Sequence, residues 1–195
     1  AVADPAKSFS LQKFYYKDVG GREPTRDLVE QHYQAKDSSY KCATYKNFEQ
    51  MLDEQKDLDA ILCGTPDHLH AYVSAKSLHA GKHVYCEKPL THNIWEARTI
   101  AALAKQTGLA TQMGNQGHSS DGMRETCEWI WGGAIGAVRE VHAWSGGNRW
   151  NPTLTGQPTT PGGEGGSPVP EWLNWDLWQG PRQVRPFDSA YLPVA

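Results

Sequence analysis

Between residues 59 and 113 short apolar runs alternate with segments of helical length, and no other feature constrains the fold as tightly. Asp59-Ala60-Ile61-Leu62-Cys63-Gly64 is a continuous apolar run closed by glycine, the pattern of a strand covered on both faces. Pro66 suits the first turn of a following helix, with Leu69, Tyr72 and Val73 along one side and Ala80-Gly81 as its stop. Residues 83–86 read as the next strand. Asn93 and Glu96 then offer a capping box to a helix whose stripe is Ala97, Ile100, Ala101 and Ala104 and which ends at Gly108. Residues 109–113 form a further strand. Strands and helices alternating at this spacing predict an α/β fold built on a parallel sheet, open, with right-handed crossovers and helices on both faces.

The flanks are less regular. Residues 1–4 are a short apolar run ending in an acid with nothing before it to pair with, and they read as a sheet entered midway. A helix is expected over 22–35, where Leu28, Val29, His32 and Tyr33 stand at helical spacings, then a short strand over 40–44. Asn47 is the expected N-cap of a helix over 48–55 that turns Met51 and Leu52 inward. Composition changes after about Gln116. Ser119 or Ser120 caps a helix running to Trp131, Gly132-Gly133 ends it, and 138–144 alternates as a strand with one solvated face. A loop rich in glycine, proline and threonine follows over 146–170, and then the tryptophan-dense stretch 171–180.

Charge and composition exclude several partners. A net charge of -3 gives no reason to expect nucleic acid or an anionic membrane, and 38% hydrophobic residues are ordinary for a globular protein. No apolar run approaches the roughly 20 residues that span a bilayer. The protein reads as soluble, cytoplasmic or exported, since an export signal would lie upstream of Ala1. Cys42, Cys63, Cys86 and Cys127 are too scattered for a Cys-x-x-Cys site and read as free core thiols, with no metal expected.

Three clusters carry chemistry. Asp4, at the end of an opening strand, is where a dinucleotide-binding domain places the acid that takes the ribose hydroxyls, although Asp-Pro is equally a turn pair. Thr65-Pro66-Asp67-His68-Leu69-His70 follows a strand and opens a helix, so it faces the carboxyl edge of the sheet, where ligands bind. His68 and His70, two apart, point to different faces of a helix and make a poor metal pair. Glu87-Lys88-Pro89 ends the next strand and sets a carboxylate and an amine at the cleft mouth. An amine whose pKa is lowered by partial burial can exchange a proton with a substrate hydroxyl. A surface ion pair is the plainer alternative. Neither Gly132-Gly133 nor the glycine cluster over 162–166 follows a strand and opens a helix, so neither is a phosphate loop.

Taken together, Thr65 to His70, Gly81-Lys82-His83-Val84-Tyr85-Cys86-Glu87-Lys88-Pro89-Leu90, Glu96-Ala97-Arg98 and Gln112-Met113-Gly114-Asn115-Gln116-Gly117-His118 closely resemble the Gfo/Idh/MocA oxidoreductases. The stretches 136–144 and 172–181 resemble the branch with sugar dehydrogenases and NAD-dependent glycosidases. The resemblance implies a Rossmann domain followed by an α/β substrate domain. Here that corresponds to a partial NAD-binding domain over 1–116, lacking its first strand and glycine loop, and the start of a substrate and oligomerisation domain over 117–195. It implies NAD as cofactor, with NADP disfavoured because the Asp4 carboxylate repels a 2'-phosphate. By the same resemblance Lys88 is the catalytic lysine and also contacts substrate. Asp4, Thr65, Pro66, His70, Glu87, Asn115 and Gln116 contact cofactor.

The implied substrate is a sugar-like small molecule, and the complete protein is expected to be a homo-oligomer. Trp144, Trp150 and Trp172 are candidate sugar-stacking residues, because aromatic faces cover the apolar faces of pyranose rings. Trp172, Trp175 and Trp178, about one turn apart, fit a core or an oligomer contact equally well. The family's later Asp-x-x-x-His segment does not occur before Ala195, so the sequence reads as an internal piece of a protein about twice as long. Hydride transfer from a sugar carbinol to NAD with lysine-assisted proton transfer is the leading expectation. An NAD-dependent glycosidase working by transient oxidation and a non-catalytic dinucleotide or sugar sensor are the alternatives.

Overall fold

The computed structural model describes residues 1–12, 17–144 and 166–192. Its centre is a three-stranded parallel sheet of β5 (Ala60–Cys63), β6 (His83–Glu87) and β7 (Thr111–Gly114), side by side in chain order. Two further pairs are hydrogen-bonded apart from it. β1 (Val2–Ala3) runs parallel to β4 (Thr44–Tyr45), and β2 (Phe9–Ser10) pairs antiparallel with β3 (Val19–Gly20). The second pair was not foreseen in the polar stretch before Gly21.

The helices start where their caps predict. Asn47 Oδ1 accepts from the Glu49 amide to open α2 (Phe48–Glu54). Asn93 Oδ1 accepts from Glu96 N–H at 2.9 Å to open α4 (Ile94–Thr107), while the Glu96 carboxylate reaches back to the His92 amide at 2.7 Å. Gly108 closes α4 in the left-handed conformation, φ 65°, that glycine adopts without strain. Pro66 stands one residue earlier than expected, before a 3-10 turn at Asp67–Leu69 that leads into α3 (His70–His79). α1 (Arg22–Gln34) packs on β1 and β4, with Leu28 and Tyr33 exposed.

One core joins these parts. Tyr45, Met51 and Leu52 from β4 and α2 meet Ile61, Cys63, Leu69, Val73, Leu78, Val84 and Cys86 from the central sheet and α3. A carboxylate ties the helices outside it: Glu49 on α2 holds Lys76 of α3 at 2.6 Å and accepts from Tyr72 Oη at 3.1 Å. The expectation that β5 is covered on both faces fails among the described residues. Its burial alternates, with Ile61 and Cys63 inside and Leu62 74% exposed. On α4 the inward residues are Ile100 and Leu103, while Ala97 and Ala101 face out.

α5 (Asp121–Trp131) is capped by Ser120 as expected but buries none of its residues, and 138–144 forms no strand. The chain then returns to the first half. α6 (Trp175–Gln179) sits in a second cluster of Ala6, Leu173 and Phe187 with Trp172, Trp175 and Trp178 packed round it. Trp175 and Trp178 stack at 4.7 Å, so the late tryptophans take the core role. No helix among the described residues is long and apolar enough to cross a membrane.

Candidate active site

Parallel strands of matched register bring their carboxyl ends to one edge. Cys63 pairs with Cys86, and Glu87 pairs with Gly114, so the residues following β5, β6 and β7 emerge side by side. That edge carries Thr65 and Pro66, then Glu87 and Lys88, then Asn115 and Gln116.

Glu87 and Gln116 are directly joined. Gln116 Nε2 donates to the Glu87 carboxylate at 3.0 and 3.2 Å and lies 3.4 Å from Tyr85 Oη. Tyr85 was not singled out in the sequence, yet it lies two residues before Glu87, and the twofold repeat of a strand places both on one face. Gly114 makes room for this contact. A Cβ there would lie 2.7 Å from Glu87 Oε2. Asn115 is exposed, and Pro66 is exposed beside half-buried Thr65.

Lys88 is exposed, with no partner among the described residues. The partial burial expected of its amine is therefore not found. Its carboxylate neighbour bonds Gln116 rather than Lys88, which removes the surface ion pair as the reason for the tripeptide.

Asp4 follows β1 at the same end of its strand pair, with its amide donating to Tyr45 C=O at 3.0 Å. Its Oδ1 accepts from the Ala6 amide at 2.7 Å, the turn role open to Asp-Pro, and its carbonyl accepts from Arg22 at 3.2 Å. Burial raises the Asp4 carboxyl above its ordinary range, against the opposing pull of the Ala6 amide and Arg22. A cleft of about 230 Å³ opens beside it, walled by Ala3, Pro5, Asn47, Thr65, Leu69 and Leu177.

The returning segment closes this cleft and is pinned to the Thr65 loop. Trp178 C=O lies 2.8 Å from His68 Nε2, and its ring packs on the imidazole at 4.8 Å. Arg182 reaches Glu96 at 2.9 Å and His68 C=O at 3.3 Å. Burial under this segment lowers the His68 pKa.

His70, expected to line the cofactor, is 1% exposed. Its ring lies between two backbone carbonyls, Thr65 at 2.7 Å and Pro89 at 2.6 Å. Cys63, His70 and Cys86 bring their donor atoms within 4.8 Å of one another, but both ring nitrogens already face carbonyls. The Cys86 thiol beside Cys63 lowers the Cys63 pKa, and the same contact raises that of Cys86. Trp144 is 87% exposed and makes no part of this edge, and Trp150 lies outside the described residues.

Residues 23–115 match the Gfo/Idh/MocA family of oxidoreductases with an NAD-binding Rossmann fold. The matched segment contains Thr65, Glu87, Lys88 and Asn115, whereas Asp4 and Gln116 fall outside it. Among curated relatives, a dTDP-3,4-didehydro-2,6-dideoxy-alpha-D-glucose 3-reductase of Streptomyces violaceoruber is 31% identical over 54% of this chain and 30% of its own length. A 1,5-anhydro-D-fructose reductase of Ensifer adhaerens is 32% identical over 45% of this chain and 27% of its own. The chain thus spans less than a third of the length of these relatives. Among solved structures, myo-inositol 2-dehydrogenase from Lactobacillus plantarum is similar with a TM-score of 0.47 and 29% identity, covering 54% of this chain and 31% of that one.

Proposed function

We propose that this chain carries the cofactor-facing half of an NAD-dependent oxidoreductase acting on a carbinol of a sugar or polyol. The observation that carries the reading is the shared edge. A Lys88 amine with no partner among the described residues stands beside a Glu87 carboxylate fixed by Gln116, next to the Thr65 loop of a segment whose relatives reduce sugar-like compounds. On this reading 1–116 forms the dinucleotide-binding part and 117–195 begins the substrate part.

The donor set fits a dinucleotide. Asp4 has one carboxylate oxygen, Oδ2, not engaged in its turn and suited to ribose hydroxyls. The cleft beside it, about 230 Å³, falls below the roughly 300 Å³ of pockets that enclose a whole ligand, so it takes one part of a dinucleotide. Glu87, Asn115 and Gln116 offer acceptor and amide groups toward the other part. NAD supplies the hydride acceptor when bound.

Lys88 takes up the hydroxyl proton of the substrate carbinol as the carbonyl forms and returns it in the reverse direction. Gln116 orients the Glu87 carboxylate toward the ligand and away from Lys88, which leaves the amine free to move that proton. The Asp4 carboxylate disfavours a 2'-phosphate, so NAD is preferred to NADP.

The test is NADH and NADPH binding to the purified chain by fluorescence, followed by oxidation of inositols and sugars with NAD. NADH is expected to bind at least tenfold more tightly than NADPH. Lys88→Ala is expected to lower turnover by about 10²-fold or more with NADH binding retained. A chain that binds neither dinucleotide, or a Lys88→Ala variant with full turnover, would rule the assignment out.

A further inference from the structure

We infer that His70 is a positioning residue, a buried clasp that holds the Thr65 loop and the Lys88-Pro89 turn in a fixed relation. The two loops leave adjacent strands just beyond the paired residues Cys63 and Cys86. His70 is the first residue of α3 and sits directly beneath both. Its Nε2 lies 2.7 Å from Thr65 C=O and its Nδ1 2.6 Å from Pro89 C=O. A carbonyl oxygen only accepts, so the ring holds either loop only through an N–H. At 1% exposure the ring has no water as a substitute partner, and its loss removes the side chain that touches both loops.

Asn keeps a donor near the Nδ1 position, on the Pro89 side. Gln reaches the Nε2 position, on the Thr65 side. Each amide therefore restores one half of the clasp, a division that a merely space-filling histidine would not produce.

Hydrogen exchange read by mass spectrometry on the full chain tests this. His70→Ala is expected to raise exchange in peptides covering 64–69 and 86–91, leaving 94–107 unchanged. His70→Asn is expected to protect the second peptide selectively and His70→Gln the first. If His70→Ala does not fold, the Asn and Gln pair still decides the matter. Equal exchange of both peptides in both variants would overturn the clasp. Its functional consequence rests on the NAD reading: His70→Ala is expected to weaken NADH binding about tenfold, the worth of one to two buried hydrogen bonds, with partial recovery in Asn and Gln. Wild-type chain that fails to bind NADH would refute the NAD reading, while the exchange pattern would still decide the clasp.

Discussion

The segment over 60–114 and the segment over 115–144 are of comparable regularity in sequence but differ in what they bury. In the first, α3 alone buries six residues against β5 and β6, among them Leu78 and His70 at 1% exposure. In the second, α5 is well capped and strongly two-sided, yet no residue from 115 to 144 is buried, and Trp131 is 82% exposed. A cap and an amphipathic stripe start a helix. They do not supply the surface against which the stripe is hidden, and most helical stability in proteins comes from that surface.

Mutations can break or sharpen this contrast. Leu78→Ala empties a filled position in the shared core and is expected to cost about 2–5 kcal/mol in urea unfolding. A loss below about 1 kcal/mol would mean that the core is looser than its burial indicates. Arg182→Ala removes the anchor of the returning segment to Glu96 and His68. The pair is only partly screened from solvent, so about 1 kcal/mol is expected, with faster proteolysis over 166–192 as the sharper readout. Proteolysis unchanged from wild type would mean that the tryptophan cluster and the contact of His68 with Trp178 C=O hold the segment without Arg182.

Acid acts on the same anchor through His68. Its folded pKa lies below the unfolded value near 6.5, so the unfolded chain binds the proton more readily. Stability from the buried neutral ring is therefore complete above about 6.5 and declines as pH falls toward the lowered folded value. A melting-temperature series over that window is expected to fall more steeply in wild type than in His68→Gln. Least of all, Trp131→Ser should change unfolding by no more than about 0.5 kcal/mol, because the ring lies in solvent. A large loss there would reveal a covering partner for α5.

The parts of the fold that were legible from sequence are those whose signals are local. The caps Asn47, Asn93 and Ser120 and the stop at Gly108 each depend on a few neighbouring residues, and each is found where expected. The apolar run of β5 identified a strand. Composition could not say whether a second layer covers Leu62, because that depends on other elements. The alternation over 138–144 likewise named a pattern without a neighbour to pair with. In the site, Glu87, Lys88 and Gln116 could be singled out because they sit at strand ends. The role of His70 could not, because both its partners are backbone carbonyls and every residue carries one. Arg182 and Glu96, 86 positions apart, meet only through the fold.

The matched register of β5, β6 and β7 sets where the chain can change length. Gly81, exposed and with φ 74°, links α3 to β6 in a turn with open space around it. A residue inserted there lengthens a loop at small entropic cost. A residue inserted between Val84 and Glu87 turns every later side chain of β6 to the opposite face. Cys86 would leave the core, and Glu87 would leave Gln116. Natural variation in length should therefore collect at the amino ends of these strands, while their carboxyl ends keep a constant count.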